Sequence, residues 1–255
     1  MRNILAIAHK ELRSYFTSPI AYIVIGFFAL LYGVFYVAIL RFFMTQAMQA
    51  GIMGGAQSMN VNQQVIRPLF QNVTVVALFL LPMVTMRTYS EEKRSGTIEL
   101  LLTSPVTDFE IVMGKFLGAL GLYLAMLAVT VIHIAVLYFY GRPEWKPIVT
   151  AYLGFILFGS CFISAGLFIS SLSKNQIVAG TVTFAVFLFL WIITWIGNLF
   201  GPVGEKVTTY LSIVDHFDDF TKGVIDTSHL IYYLSFITFG LFLTAKSVDS
   251  ERWRG

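Results

Sequence analysis

The sequence predicts an all-α polytopic membrane protein with six transmembrane helices. Two features carry that reading before any motif is considered. Hydrophobic residues make up 57% of the 255 residues and charged residues only 12%, about half the charged share of an ordinary soluble domain. The charges are also unevenly spread, leaving apolar runs long enough to cross the ~30 Å hydrocarbon layer at ~1.5 Å per helical residue. The net charge of +3 is too small to suggest nucleic acid, and its distribution matters more than its sum. A single cysteine, Cys161, rules out an internal disulfide. It sits in an apolar run and reads as a small buried or lipid-facing residue.

From the N-terminus, Arg2 to Phe16 alternates at helical spacing. Ile4, Leu5, Ala8, Leu12, Tyr15 and Phe16 share one face, with Arg2, Lys10 and Arg13 mostly off it. This is the pattern of an amphipathic helix in the membrane interface. The run that follows is too long for a signal-peptide core and no small-residue cleavage site follows it, so a leader is not assigned. Ser18-Pro19 is a helix start. The first span covers about 20–40 without a charge and is expected to end at Arg41. Phe42 to Arg67, rich in Gln, Asn, Met and Gly, reads as a loop broken by Gly51, Gly54 and Gly55, with a short helix on either side.

The second span covers about 68–86 and contains Asn72 and Pro82. Proline is tolerated there when neighbours satisfy the freed carbonyl. Asn72 either lines a pathway or caps locally near the outer interface, and the local role is adopted. Then comes a polar island, Arg87 to Lys115, RTYSEEKRSGTIELLLTSPVTDFEIVMGK. Within it Thr97 to Thr103 reads as a short helix with Thr97 as its cap, Glu99 near its positive end, and an apolar surface from Ile98, Leu100, Leu101 and Leu102. Ser104-Pro105 ends it, and Thr107 with Glu110 forms a capping box for the next helix.

The third span covers about 116–140. Gly114, Gly118 and Gly121 mark a face open to close helix packing, and His133 is the ionisable residue deep within the span, read as hydrogen-bonded or interfacial ahead of functional. A tight turn with Trp145 leads to the fourth span, about 148–172. Ser173-Lys174-Asn175 turns directly into the fifth, about 177–197, which closes with Trp191 and Trp195 near an interface. Gly201-Pro202 opens a second polar region in which Val207 to Val214 reads as a short amphipathic helix. Asp215, His216, Asp218 and Asp219 follow. They could be metal ligands, but acidic clusters on loops are mostly solvated and no further ligand group is evident, so no metal is assigned. The sixth span covers about 229–248 and has the shortest apolar middle, Leu230 to Ala245.

Counting Lys and Arg by side places eleven of the 17 with the N-terminus, which predicts cytoplasmic N- and C-termini in a bacterial inner, or plasma, membrane. The island is then cytoplasmic.

The island resembles the signature of ABC-2 type transporter permeases. The residues that carry the resemblance are Glu91-Glu92, Arg94, Ser95-Gly96-Thr97, Glu99, the leucines to Leu102, Pro105 and Gly114-Lys115. The run HFDDFTKGVIDTSHLIYYL near the last span is similar to the subgroup that includes gliding-motility-associated permeases. The resemblance implies a single ABC-2 transmembrane domain over 1–255, an exporter subunit, and a coupling helix that sits on a separate ABC ATPase. It also implies a second permease copy or paralogue. Glu91, Glu92, Arg94, Gly96, Thr97, Ile98, Glu99 and Leu101 are the residues expected at or around the ATPase contact. The sequence has no G-x-x-x-x-G-K-[ST], so ATP hydrolysis is expected on the partner. No catalytic, cofactor-binding or metal-ligating residue is assigned. The alternative is a secondary transporter or channel without an ATPase, against which stands the absence of carboxylates from the middle of the spans.

Overall fold

A computed structural model describes residues 2–52, 60–141 and 143–252. They form helices joined by short turns, with no strand among the described residues. The order is α1 (Arg2–Thr17), α2 (Pro19–Ile52), α3 (Arg67–Thr85), α4 (Arg87–Ser95), α5 (Thr97–Leu102), α6 (Asp108–Gly141), α7 (Trp145–Leu172), α8 (Gln176–Gly197), α9 (Gly201–Leu211), α10 (Asp215–Thr221) and α11 (Thr227–Arg252). A π-helical turn, Asn62–Ile66, runs straight into α3. Six helical stretches are long and apolar enough to cross a membrane: Pro19–Ile52, Asn62–Ser95, Asp108–Gly141, Trp145–Leu172, Gln176–Gly197 and Thr227–Arg252.

Several helices outrun their apolar cores. α2 does not stop at Arg41 but continues to Ile52, because a single arginine changes solvation without breaking the backbone pattern. Gly51 lies inside that helix, whereas Gly54 and Gly55 fall outside the described residues. Likewise Gly201-Pro202 opens a helix immediately, and α9 ends at Leu211, before the expected Val207–Val214 segment is complete. Proline at the first turn costs no hydrogen bond, which favours the earlier start.

α7 lies at the centre. It packs against α11, α3, α10, α8, α6 and α4, and Phe155, Phe158 and Phe162 run along its buried side. Phe162 stacks on Phe187 of α8 with ring centroids 3.6 Å apart, and Phe217 of α10 meets both Phe155 and Phe158. Small residues on α7 admit these neighbours: a Cβ on Gly159 would lie 2.2 Å from the Tyr123 ring, and one on Gly154 2.6 Å from Phe220. Cys161 is fully buried here, its Sγ 3.6 Å from the Tyr233 carbonyl. By contrast α2, α8 and α11 leave large apolar side chains such as Ile23, Phe189 and Phe239 exposed along their flanks, as expected for surfaces that face lipid or another helix.

The glycine face of α6 is used by α1 rather than by another span. A Cβ on Gly114 would lie 2.6 Å from Ile7, and one on Gly118 2.6 Å from the Glu11 Cβ. α1 is therefore strapped along the first half of α6 at backbone distance. Its buried residues are Glu11 and Tyr15, while Leu5, expected on the apolar face, is 65% exposed. Amphipathic spacing identified the helix and most of its contact face, since Leu12, Tyr15 and Phe16 pack inward; it missed Ile7 and Glu11, which sit against the glycine seam in place of Leu5.

Inside the bundle, His133 sits between the edges of Tyr32 and Tyr36, at 5.1 and 5.2 Å between centroids. Its Nδ1 is buried without a hydrogen-bond partner, contrary to the hydrogen-bonded reading. Asn72 acts locally, its Nδ2 donating to the Pro68 carbonyl at 2.7 Å.

Candidate functional site

The polar island folds as α4, α5 and the start of α6. α4 continues the line of α3 and is held to α7 by one hydroxyl. Ser170 Oγ accepts from the Tyr89 and Ser90 amides at 3.1 and 3.2 Å and donates to the Met86 carbonyl at 2.9 Å. Lys93 and Arg94 lie in the last turn of α4, where cations suit the helix dipole. Gly96 then takes φ +73°, a left-handed conformation that ends α4 and begins α5 in a single residue. Thr97 consequently is not the cap. It is the first residue of α5, and its Oγ1 lies 2.9 Å from Ser95 Oγ. The second cap is as expected: the Thr107 amide donates to Glu110 Oε2 at 3.1 Å and the Glu110 amide to Thr107 Oγ1 at 3.2 Å.

A buried ion cluster ties this segment to α1. Lys115 is fully buried; its Nζ lies 3.0 Å from Glu11 Oε1, 2.9 Å from Glu92 Oε2 and 3.0 Å from the Thr88 carbonyl, 5.0 Å above the Tyr89 ring. Lys10 bridges the same carboxylates from outside, 3.1 Å from Glu92 and 3.4 Å from Glu11. Two carboxylates and two ammonium groups thus balance, and every member except Lys10 is sheltered from water. Burial opposes the charge on Lys10, but Glu92 and Glu11 outweigh it and raise its pKa. Tyr15 completes the seam, donating to the Val84 carbonyl at 3.0 Å beneath the Arg87 guanidinium at 4.6 Å. Burial pushes its hydroxyl up to about 12, so it stays neutral.

Two further ties close the segment. Asn3 donates to Glu110 at 3.2 Å, and the end of α11 reaches across with Glu251 2.7 Å from Lys93 and Arg252 2.8 Å from Asp108. α5 is thereby presented from a frame pinned by both ends of the chain. A polar cleft of about 540 Å³ opens between α1 and α4, with Lys10, Tyr15, Arg87, Glu91, Glu92 and Thr97 among its walls.

The residues singled out from the sequence divide by environment. Glu91, Arg94, Gly96, Thr97 and Glu99 are exposed, whereas Glu92 is half-buried in the ion cluster. Ile98 is buried, and Leu101 packs half-buried against the core. The exposed apolar side chains beside them are Leu100 at 73% and Phe109 at 63%. Glu11, Lys10 and Lys115 were missed as a unit. The available signal was a glutamate four residues after Ile7 and four before Tyr15, a position on the contact face that needs a cation.

At the other end of the bundle, the acidic residues of α10 are taken up by protein partners. Asp218 accepts from Arg67 at 2.9 Å and Gln71 at 2.8 Å and pairs with Lys222 at 2.8 Å. Asp215 accepts from Thr194 at 2.7 Å. Burial would raise the Asp218 pKa, but Lys222 and Arg67 prevail and lower it. Lys222 and His229 hold that of Asp219 down. Among the described residues, no three His, Cys, Asp or Glu side chains are grouped so as to hold a metal ion.

Six apolar helical stretches, with a strapped N-terminal helix and a short helix between the second and third stretches, define a polytopic membrane protein. Residues 5–246 match the model of the ABC-2 family transporter proteins, and the chain belongs to that family. It is also similar to the probable multidrug ABC transporter permease YbhR of two Escherichia coli strains, at 26% identity over 165 residues. That alignment covers 63% of this chain and 43% of the relative, so the chain spans well under two thirds of the length of the curated relatives it matches.

Proposed function

We propose that the chain is the permease subunit of an ATP-binding cassette exporter, itself non-catalytic, driven by a separate ATPase that docks on residues 87–115. The observation that carries this reading is the build of α5. Its exposed side offers Thr97, Glu99 and Leu100, while Ile98 and Leu101 anchor it inward. A mixed polar and apolar knob on a rigid frame is suited to sitting in a groove of another protein. The frame passes motion onward: Glu92 leads through Lys115 to α1 and α6, and Lys93 leads through Glu251 to α11. Because the connections after α3 and before α6 lie at the N-terminal end of the bundle, the reading places both termini and the docking surface in the cytoplasm, with the spans in the bacterial inner membrane.

A second permease, identical or paralogous, completes the pathway, and the exposed apolar flanks of α2, α8 and α11 are available for it or for lipid. The multidrug description of the relative, together with the aromatic and weakly polar helices here, supports an amphipathic cargo. The sequence before the last span supports a place near the subgroup with gliding-motility-associated permeases, without implying motility.

Reversing the charge on α5 tests the docking. Glu99→Arg is expected to leave membrane insertion intact, to reduce recovery of a P-loop ATPase with the tagged chain from mild detergent, and to abolish transport-coupled ATP hydrolysis. Full ATPase recovery and normal transport would remove the segment from the coupling role. A well-folded wild-type chain that never co-purifies with an ATPase would favour a channel or secondary transporter.

A further inference from the structure

Beyond the coupling segment, the two histidines at the opposite end form a chain of hydrogen bonds whose proton count is set by geometry. His216 Nε2 lies 3.0 Å from the Tyr210 carbonyl, which offers only lone pairs, so that nitrogen carries a proton. His229 Nε2 lies 2.9 Å from Asp219 Oδ2, an acceptor when ionised, so it carries one as well. Between the rings the two Nδ1 atoms are 2.7 Å apart. That gap admits one proton, donated by one ring to the lone pair of the other. Three protons on two imidazoles make a net charge of +1.

The alternatives fail on the same geometry. A fourth proton would set two N–H groups head to head across 2.7 Å. A missing one would leave two lone pairs facing each other, or forfeit the bond to Tyr210 or Asp219. We propose that His216 and His229 form one site for a single shared proton, and that this state adds a tie from the C-terminal end of α9, at the Tyr210 carbonyl, to α10 and α11.

The surroundings locate the proton and the mechanical consequence. His229 is the ring that faces a carboxylate, Asp219 at 2.9 Å, while burial first, and then the neighbouring His229, lower the proton affinity of His216. Lys222 shares that carboxylate, at 2.7 Å. Asp215 and Asp218 are committed to Thr194 and to Arg67 with Lys222, and Asp226 accepts from Ser228. Tyr232 stacks on His216 at 3.9 Å and donates to the Leu211 carbonyl at 2.8 Å, while Tyr233 donates to that of Ile213 at 2.8 Å. α9 buries none of its own residues and leaves Val203, Val207 and Tyr210 exposed. Its C-terminal end is held by this assembly and by α8, where Thr208 packs against Gly197.

The dependence on pH has two limbs. As pH falls, His216 gains a proton and the Nδ1 contact is lost; as pH rises, the shared proton leaves and the contact is lost again. The experiment uses the full chain in lipid nanodiscs with ¹⁵N-labelled histidine. A through-hydrogen-bond coupling between the two Nδ1 nuclei is expected over an intermediate pH range and absent on both sides. The α9 amides, corrected for intrinsic exchange, should exchange about tenfold faster or more outside that range, the equivalent of one charge-assisted hydrogen bond. In His229→Gln the coupling should vanish and α9 exchange should lose its pH dependence. Independent titration of the two rings without coupling, a coupling that persists at both extremes, or α9 exchange indifferent to pH in the unmodified protein would each overturn the proposal.

Discussion

Lys115 is the residue on which the ion cluster between α1, α4 and α6 turns. A buried ammonium is tolerated because Glu11, Glu92 and the Thr88 carbonyl surround it. Removing it leaves two sheltered carboxylates with only the exposed Lys10 to pair them, a loss of about 3–5 kcal/mol. Lys115→Met is therefore expected to lower thermal stability markedly in detergent, and adding Glu11→Gln with Glu92→Gln should recover much of it; a harmless single change would show that the cluster is hydrated. Asp218 makes the complementary case at the other end. Its pKa is lowered, after burial is overcome, by Lys222 and Arg67. It thus contributes stability above the unfolded value of about 3.9, and that contribution is lost as pH falls through its lower folded value. Asp218→Asn should destabilise the protein at neutral pH and flatten the loss below about pH 4 in a thermal-melt series.

At the scale of elements, the contact between α1 and α6 is decided by the glycine seam. A valine at 118 would bring its Cβ to 2.6 Å from that of Glu11 and 3.2 Å from the Ala8 carbonyl, and neither can yield cheaply in a helix. Gly118→Val should cost about 1–3 kcal/mol and lift α1, which limited proteolysis near its C-terminal turn would detect as new cleavage. Unchanged proteolysis would mean that α1 slides without detaching. The seam was legible in the sequence as Gly114, Gly118 and Gly121, but its partner was not, since small residues advertise close approach without saying to what. The capping box at Thr107 and Glu110 was fully legible because its two bonds span three residues. The start of α5 at Thr97 was legible but its cap was not, because the left-handed turn at Gly96 supplies the boundary that a threonine cap would otherwise have made.

Across the whole molecule, α7 and α3 form the interior, and the other spans surround them. Cys161 lies at the centre of α7 with no exposed surface, which makes the native thiol a reporter of global unfolding. Maleimide labelling in mild detergent is expected to be negligible until the cooperative transition and to rise with it; fast labelling of the folded protein would show that the interior opens locally. What the sequence alone determined were the local properties: six apolar stretches, a polar island between the second and third, an amphipathic N-terminal helix and the Thr107–Glu110 capping box. Each depends on hydropathy over some twenty residues or on bonds between near neighbours. What only the tertiary structure decided were the pairings between residues remote in the chain. Glu11 meets Lys115 across 104 positions and Arg67 meets Asp218 across 151. Ile98 turns inward while Leu100 turns out, a division that an almost wholly apolar two-turn helix does not reveal, because it has no polar face to mark its outside.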